Sequence, residues 1–431
     1  MADPPAQARA RSRSAGDPPW RTLGLGLALR VAAAGAVAIV VGRRGGLCLF
    51  PDAGLYWQLG AAIREGRPFG VDQWGVMHYT LRTPGYPLFL AACQALFAAR
   101  TLPVRLVQAV LGTLAAWLVG KLAGRVGAGR GDSAPATLLA AVDPWAVGIA
   151  AVLLSEAVFL PLMVASLWGL AALWPAEGQG AARRPMLVGL ATGAAAGAAV
   201  LVKPSWALFT PAALASWVLL ARGRRREAAR AAAAVGLGMV VAMAPWWARN
   251  ARVYGRFVPT ATWLGASLYD GLRPGATGAS DMAFLDAPDV RALGEREQDA
   301  ELRDRAIRFA RAHPGAALRL AAVKAGRYWS PRPNDASFRS PGLDLAAACV
   351  TLPLYGLILA GAWASRRDPR ALILLAGPIL YFAAIHMVFV SSVRYRIPGE
   401  LPAMGLAAIG MEKIGEIYRR GRRARRAEDG D

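Results

Sequence analysis

The side chains best suited to chemistry in this 431-residue chain gather at the ends of apolar stretches. Asp52 comes first, in the segment PDAGLYWQLGAAIREGRPFGVDQWGVMHYTLRTPGYPLF that runs from Pro51 to Phe89. A carboxylate there can serve as a general base toward a hydroxyl. The competing structural role is an N-cap for a helix over Ala53–Arg64. Tyr56 falls on the same helical face one turn later and could orient a substrate hydroxyl, or anchor at a membrane interface. The run His78-Tyr79-Thr80-Leu81-Arg82-Thr83-Pro84-Gly85-Tyr86-Pro87 follows. Arg82 carries the planar fork that grips phosphate, with Tyr79 and Tyr86 beside it as candidate positioning residues.

Glu156 lies between two apolar stretches in LLSEAVFLPL. It caps the next helix or belongs to a site, because ionisable groups beside hydrocarbon are costly. Lys203 in LVKPSW is a lone cation at a span end, and Arg394 and Arg396 flank Tyr395 in SSVRYRIPGE. Cations beside apolar helices suit an anionic lipid headgroup whose tail lies in the bilayer. Asp143, before Pro144, accompanies a helix break. His78 and His386 are isolated and read as ordinary hydrogen-bonded histidines. Trp246, Trp247, Arg249 and Asn250 read as an interfacial belt.

Other chemistries lack residues. There is no G-x-x-x-x-G-K-[ST] phosphate loop. The only D-x-D is Asp429-Gly-Asp431 at the C-terminus. Cys48, Cys93 and Cys349 form no spaced cluster and read as packing residues. No cofactor and no metal site is therefore expected.

The elements that must hold these residues are membrane helices. The chain is 55% hydrophobic. Its apolar stretches are about 17–22 residues long, enough to cross a hydrocarbon core of about 30 Å, and helices satisfy their own backbone there. The net charge of +22 sits in short loops and in the tail RRGRRARR. That tail lacks interleaved aromatics, so anionic lipid headgroups are the expected partner and nucleic acid is not.

Arg9, Arg11, Arg13 and Arg21 precede the first span, Leu23–Val41, which puts the N-terminus in the cytoplasm. Arg30 within that span is expected to snorkel to the cytoplasmic surface. Gly85 to Ala99 is short for a crossing, and an interfacial helix there makes the loop with Lys121, Arg125 and Arg130 cytoplasmic. The further spans are Val104–Gly120, Ala134–Leu154, Glu156–Trp174, Met186–Val202, Ser205–Ala221, Ala231–Trp247, Leu343–Ala364, Ala371–Val390 and Pro398–Met411, about ten in all with the first. Asp52 and Glu156 then share the outer side.

Residues 1–21 read as a disordered cytoplasmic tail, 22–247 as a transmembrane module with a catalytic first outer loop at 42–103, and 248–342 as an outer insert. Residues 343–411 supply the last spans and 412–431 a basic cytoplasmic tail. In the insert, a helix from Glu295 to Arg311 carries Asp299–Arg303, Glu301–Arg305 and Asp304–Arg308 at i,i+4 and a stripe of Leu302, Ala306 and Phe309. A second helix follows Pro314 to about Trp329.

The segments FPDAGLYW, LRTPGYPLFLA, LLSEAVF, APWWARNARVYGRFVP and VRYRIPGELPAMGLAA, in that order over residues 22–411, resemble bacterial integral-membrane glycosyltransferases of the GT-C fold. The likeness is to glycosyltransferase family 39, the protein O-mannosyltransferase-like group related to lipid A aminoarabinose transferases. It implies an all-α polytopic protein of the cell membrane with juxtamembrane helices in its first outer loop. It implies a polyprenyl-phosphate sugar as donor and a hydroxyl on protein, lipid or glycan as acceptor, on the outer face. By position Asp52 matches the family's first-loop base, Glu156 its second-loop acid, and Arg82 its donor-phosphate contact. Arg394 and Tyr395 match the pair before the last span. Many relatives have a second acid beside the first; here Ala53 stands there. A transporter or lipid flippase without chemistry is the competing class, and a non-catalytic scaffold a weaker third. The one-sided ionisable residues and the lack of paired interrupted helices speak against transport.

Overall fold

The computed structural model describes residues 20–44, 49–73, 75–98, 100–127, 132–175 and 182–428. The tail before residue 20, Cys48, Arg130 and the Asp429–Asp431 pair lie outside these. The first helix, α1 (Trp20–Arg43), leads to α2 (Pro51–Arg64). A hairpin of β1 (Val71–Gln73) and β2 (Val76–His78) then pairs Val71 with His78 and Gln73 with Val76. It returns the chain so that α3 (Gly85–Phe97) packs along α2, with Tyr56 edge-on to Tyr86 at 5.0 Å and the Gln94 amide donating to the Trp57 carbonyl at 3.0 Å. At 13 residues α3 spans about 20 Å, too short for a crossing.

Next come α4 (Thr101–Val126), α5 (Ala134–Val142), α6 (Pro144–Ala151), α7 (Glu156–Leu173), α8 (Pro185–Val202), α9 (Phe209–Leu220) and α10 (Arg225–Tyr254). A surface region follows with α11 (Leu264–Gly271), α12 (Pro288–Arg291), α13 (Glu295–Ala312) and α14 (Pro314–Tyr328). The chain ends with α15 (Pro341–Ala364), with α16 (Pro369–Ala371) and α17 (Gly377–Val388) joined by a π-helical turn, and with α18 (Val393–Glu428). Among the described residues seven helices are long and apolar enough to cross a membrane, or eight if the bent pair α5–α6 is one span. The other two expected spans coincide with α9, at 12 residues, and with the first half of α18. Asp52, Glu156, Lys203 and Arg394 lie at one end of the spans, and the arginine-rich turns at 222–230 and 365–370 lie at the other.

α5 and α6 meet at 53°. Pro144 offers no N–H and disfavours helical backbone at Asp143, and the Asp143 carboxylate caps α6 by accepting from the Ala146 N–H at 2.7 Å. The break frees carbonyls, and Arg30 takes them. Its guanidinium donates to Ala141 O at 2.6 Å and Ala140 O at 3.0 Å, and it is 1% exposed. Arg30 therefore does not snorkel to the surface; the unpaired carbonyls at the helix break are its partners.

Helix contacts are built on small residues. Gly189, Gly193 and Gly197 form a four-residue repeat on α8 against α10. A Cβ on Gly193 would stand 1.9 Å from the Val235 carbonyl oxygen, so only glycine lets the backbones approach this closely. Gly193→Leu is expected to destabilise the protein by about 3 kcal/mol or more. Gly236→Leu, with nothing within 4 Å of its Cβ position, should be tolerated. Thermal unfolding of the two variants in detergent checks this, and equal midpoints would refute it.

The insert between α10 and α15 has a small core of Ala266, Leu285, Val290 and Leu302. Of the three expected ion pairs on α13 only Glu301–Arg305 forms, at 2.8 Å. Asp299 turns instead to the Gly265 N–H at 2.6 Å, because α11 packs its backbone against that face. Arg303 pairs with its neighbour Asp304 and Arg308 with Glu301. Cys93 is buried as a packing residue, whereas Cys349 is exposed on α15. Cys349 therefore does not pack inside the protein as expected.

Candidate active site

Five charged side chains from five separate segments converge. Asp52 is the second residue of α2, after Pro51. Its side chain caps nothing: Phe50 is the N-cap residue and makes no side-chain cap bond, which corrects the N-cap expectation. The carboxylate is free to point outward, to Arg82 at 3.1 Å and Arg394 at 3.4 Å. Arg394 is the second residue of α18. It also grips Glu156, the first residue of α7, through Nε at 2.8 Å and Nη2 at 3.3 Å. Lys203, just past the C-terminus of α8, reaches the same Glu156 carboxylate at 3.1 Å. Three cations thus meet two carboxylates.

The two acids differ in access. The Glu156 side chain is 0% exposed and the Asp52 side chain 41% exposed. Glu156 is a buried counter-ion that fixes Arg394 and Lys203; Asp52 is the carboxylate that an outside molecule can reach. Burial alone would raise the Asp52 pKa, but Arg82 and Arg394 outweigh it and hold the carboxyl below its usual range. Burial likewise draws the Lys203 ammonium below its usual value, against the pull of Glu156.

Aromatic rings shape the cluster. The Arg82 guanidinium lies over Tyr56 at 5.8 Å and over Trp263 at 5.3 Å. Burial holds the Tyr56 pKa above its usual value, so the phenol stays a hydrogen-bond donor. Tyr395 stacks on His386 at 4.1 Å, with Lys203 over its ring at 5.6 Å and Arg394 at 5.7 Å.

Three sequence-selected residues lie elsewhere. Arg396 is 0% exposed and bound to Glu400 at 2.7 Å and to the Ser330 carbonyl at 2.6 Å. It sits two residues from Arg394, about 200° around the helix, so it faces the core and not the cluster. Tyr86 is fully buried and donates to Gln108 at 2.8 Å. It supports Tyr56 from below. The Tyr79 ring lies over Gly70, on the hairpin. His78 is hydrogen-bonded to Val76 O at 2.8 Å and Gln298 at 3.1 Å. The expected Trp246/Trp247 belt pins the loop that follows it. Both indoles donate to carbonyls there, at Thr260 and Pro259, and Arg249 donates to Tyr79 O and Phe69 O.

Sequence reasoning missed Trp263 and Glu295. The Glu295 carboxylate, 6% exposed, accepts from the backbone N–H of Tyr79 at 2.7 Å and of Thr80 at 2.9 Å. Nothing in the charged run EREQDAELRDR distinguishes Glu295 from its surface neighbours. Among the described residues no group of three or more His, Cys, Asp or Glu side chains is placed to hold a metal ion.

Residues 81–248 match the family described as dolichyl-phosphate-mannose-protein mannosyltransferase. Comparison with curated proteins gives no match. Among solved structures, the chain is similar to the oligosaccharyltransferase AglB of Archaeoglobus fulgidus in complex with an inhibitory peptide and a dolichol-phosphate. The identity is 14% and the TM-score 0.52, over 93% of this chain and 52% of that one. A second structure of an Archaeoglobus fulgidus oligosaccharyltransferase, tethered with an acceptor peptide, gives 15% and 0.51 over 91% and 50%. ArnT from Cupriavidus metallidurans in the apo state is 17% identical with a TM-score of 0.42, over 88% of this chain and 77% of that one. The chain spans about half the length of the archaeal enzymes. It has the GT-C fold, and its residues 81–248 are similar to the family described as dolichyl-phosphate-mannose-protein mannosyltransferase.

Proposed function

We propose that the protein transfers a sugar from a polyprenyl-phosphate donor to an acceptor hydroxyl, on the outer face of the cell membrane. The observation that supports this most is the charge balance at Asp52. Three cations face two carboxylates, so the cluster carries one positive charge in excess. A polyprenyl-phosphate sugar is a phosphodiester with one negative charge and completes the balance. The lipid phosphate bound by AglB is a ligand of the same class. The basic turns at the opposite end of the spans support the outer location, with both termini cytoplasmic.

In this reading the acceptor oxygen attacks the anomeric carbon while Asp52 takes its proton. The bond from that carbon to the phosphate oxygen breaks, and the oxygen keeps the electron pair. Arg82, Arg394 and Lys203 stabilise the charge that grows there. Glu156 holds two of these cations in place. A single displacement inverts the anomeric configuration.

Reconstitution into liposomes with polyprenyl-phosphate hexoses tests the proposal. The expected result is release of polyprenyl monophosphate that depends on an added hydroxyl acceptor. Movement of the intact lipid-linked sugar across the bilayer without cleavage would overturn it in favour of a carrier.

A further inference from the structure

Glu295 belongs to the insert, at the first position of α13, far in sequence from every charged residue of the site. Yet its carboxylate is the meeting point of the loop that carries Arg82. Oε2 accepts from the Tyr79 N–H and from the Tyr254 hydroxyl. Oε1 accepts from the Thr80 N–H, from the Thr80 hydroxyl at 3.1 Å and from the Thr262 hydroxyl. The carboxylate sits at the N-terminus of α13. The Thr262 N–H in turn donates to the Thr80 carbonyl at 3.0 Å.

Thr80 is two residues before Arg82, and Thr262 is next to Trp263, whose ring lies against the Arg82 guanidinium. One buried carboxylate therefore locks both the backbone that aims Arg82 and the ring that backs it. Without that charge, two N–H groups and three hydroxyls would lose their common acceptor.

We propose that Glu295 is a positioning residue that presets Arg82 for an anionic lipid headgroup, so that the insert is a working part of the phosphate site. This deepens the donor reading above and rests on it. It assigns Glu295 no contact with substrate; its effect passes through Arg82.

The test uses the full chain in detergent. Binding of farnesyl phosphate, a short polyprenyl monophosphate, is compared with binding of uncharged farnesol, and thermal midpoints are recorded. Glu295→Gln keeps the side-chain shape but sets an amide N–H₂ against donors. It should weaken farnesyl phosphate binding by about 10- to 100-fold, the scale of losing one hydrogen bond to a charged group, and leave farnesol binding as in the native protein. Thr262→Val removes one donor, keeps the carboxylate, and should weaken phosphate binding several-fold; it decides the matter if Glu295→Gln does not fold. Asp304→Asn, exposed and about 180° around α13 from Glu295, should change neither. Unchanged farnesyl phosphate binding in a folded Glu295→Gln, or equal loss of both ligands, would overturn the proposal. Failure of the native protein to bind farnesyl phosphate at all would instead overturn the donor reading.

Discussion

Replacing Asp52 by Asn should reduce sugar transfer by about 10²–10⁴-fold, the range of general-base assistance. The amide keeps the size of the side chain and removes its basicity. Asp52 is the acid to test because Glu156 is sealed in the cluster and already committed to Arg394 and Lys203. The loss should fall on kcat. Removing one carboxylate raises the excess positive charge, so the donor KM should stay level or fall. A residue needed only for folding would show a different split and lower expression.

The pH profile gives a second reading of the same group. The carboxyl of Asp52 titrates below its usual range in the folded protein. The ionised form therefore persists under mild acidity, and the acidic limb of kcat/KM should lie below about pH 4. The sign for stability is the same: a depressed folded pKa adds stability at neutral pH that disappears as pH falls through it. Native turnover in membranes by Asp52→Asn, at equal expression, would remove this residue from the mechanism.

The second large effect should come from Glu156→Gln, expected to cost about 3–5 kcal/mol of stability. Arg394 binds Glu156 through two nitrogens, and Lys203 binds the same buried carboxylate. Neutralising it removes the shared counter-ion of two cations whose side chains are only 12% and 22% exposed. The measurement is the unfolding midpoint in detergent, compared with the native protein. The Asp52→Asn variant is the useful control, since its half-exposed position lets water replace the lost partner. A Glu156→Gln midpoint equal to the native one would show that Arg394 and Lys203 are solvated, and that the buried counter-ion assignment is wrong.

The cluster was largely legible in the sequence because a charge at the end of an apolar helix must find a partner. Asp52, Arg82, Glu156, Lys203 and Arg394 all stand out on that ground. Arg396 does not separate from Arg394 by the same argument. Both sit before the same apolar stretch, and only the helix phase sends one to the site and the other to Glu400. Arg30 misled for a related reason: the carbonyls it serves are created by a break more than 100 residues later. Glu295 was invisible, because its neighbours on α13 are also charged and its burial arises from the docking of the first loop. The fold class followed from apolar length and from ordered motifs. The helix count did not follow as readily, because short helices such as α3 and α9 are ambiguous by length alone.

The glycine-lined contact of α8 with α10 has a mechanical consequence. With main chain resting on main chain, no layer of side chains remains there to slide or change rotamer. Lys203 is mounted at the end of this stiff plate, and Glu295 clamps the loop that carries Arg82. Both cations therefore sit on rigid mounts, and selection among headgroups should come from fit and not from movement of the site.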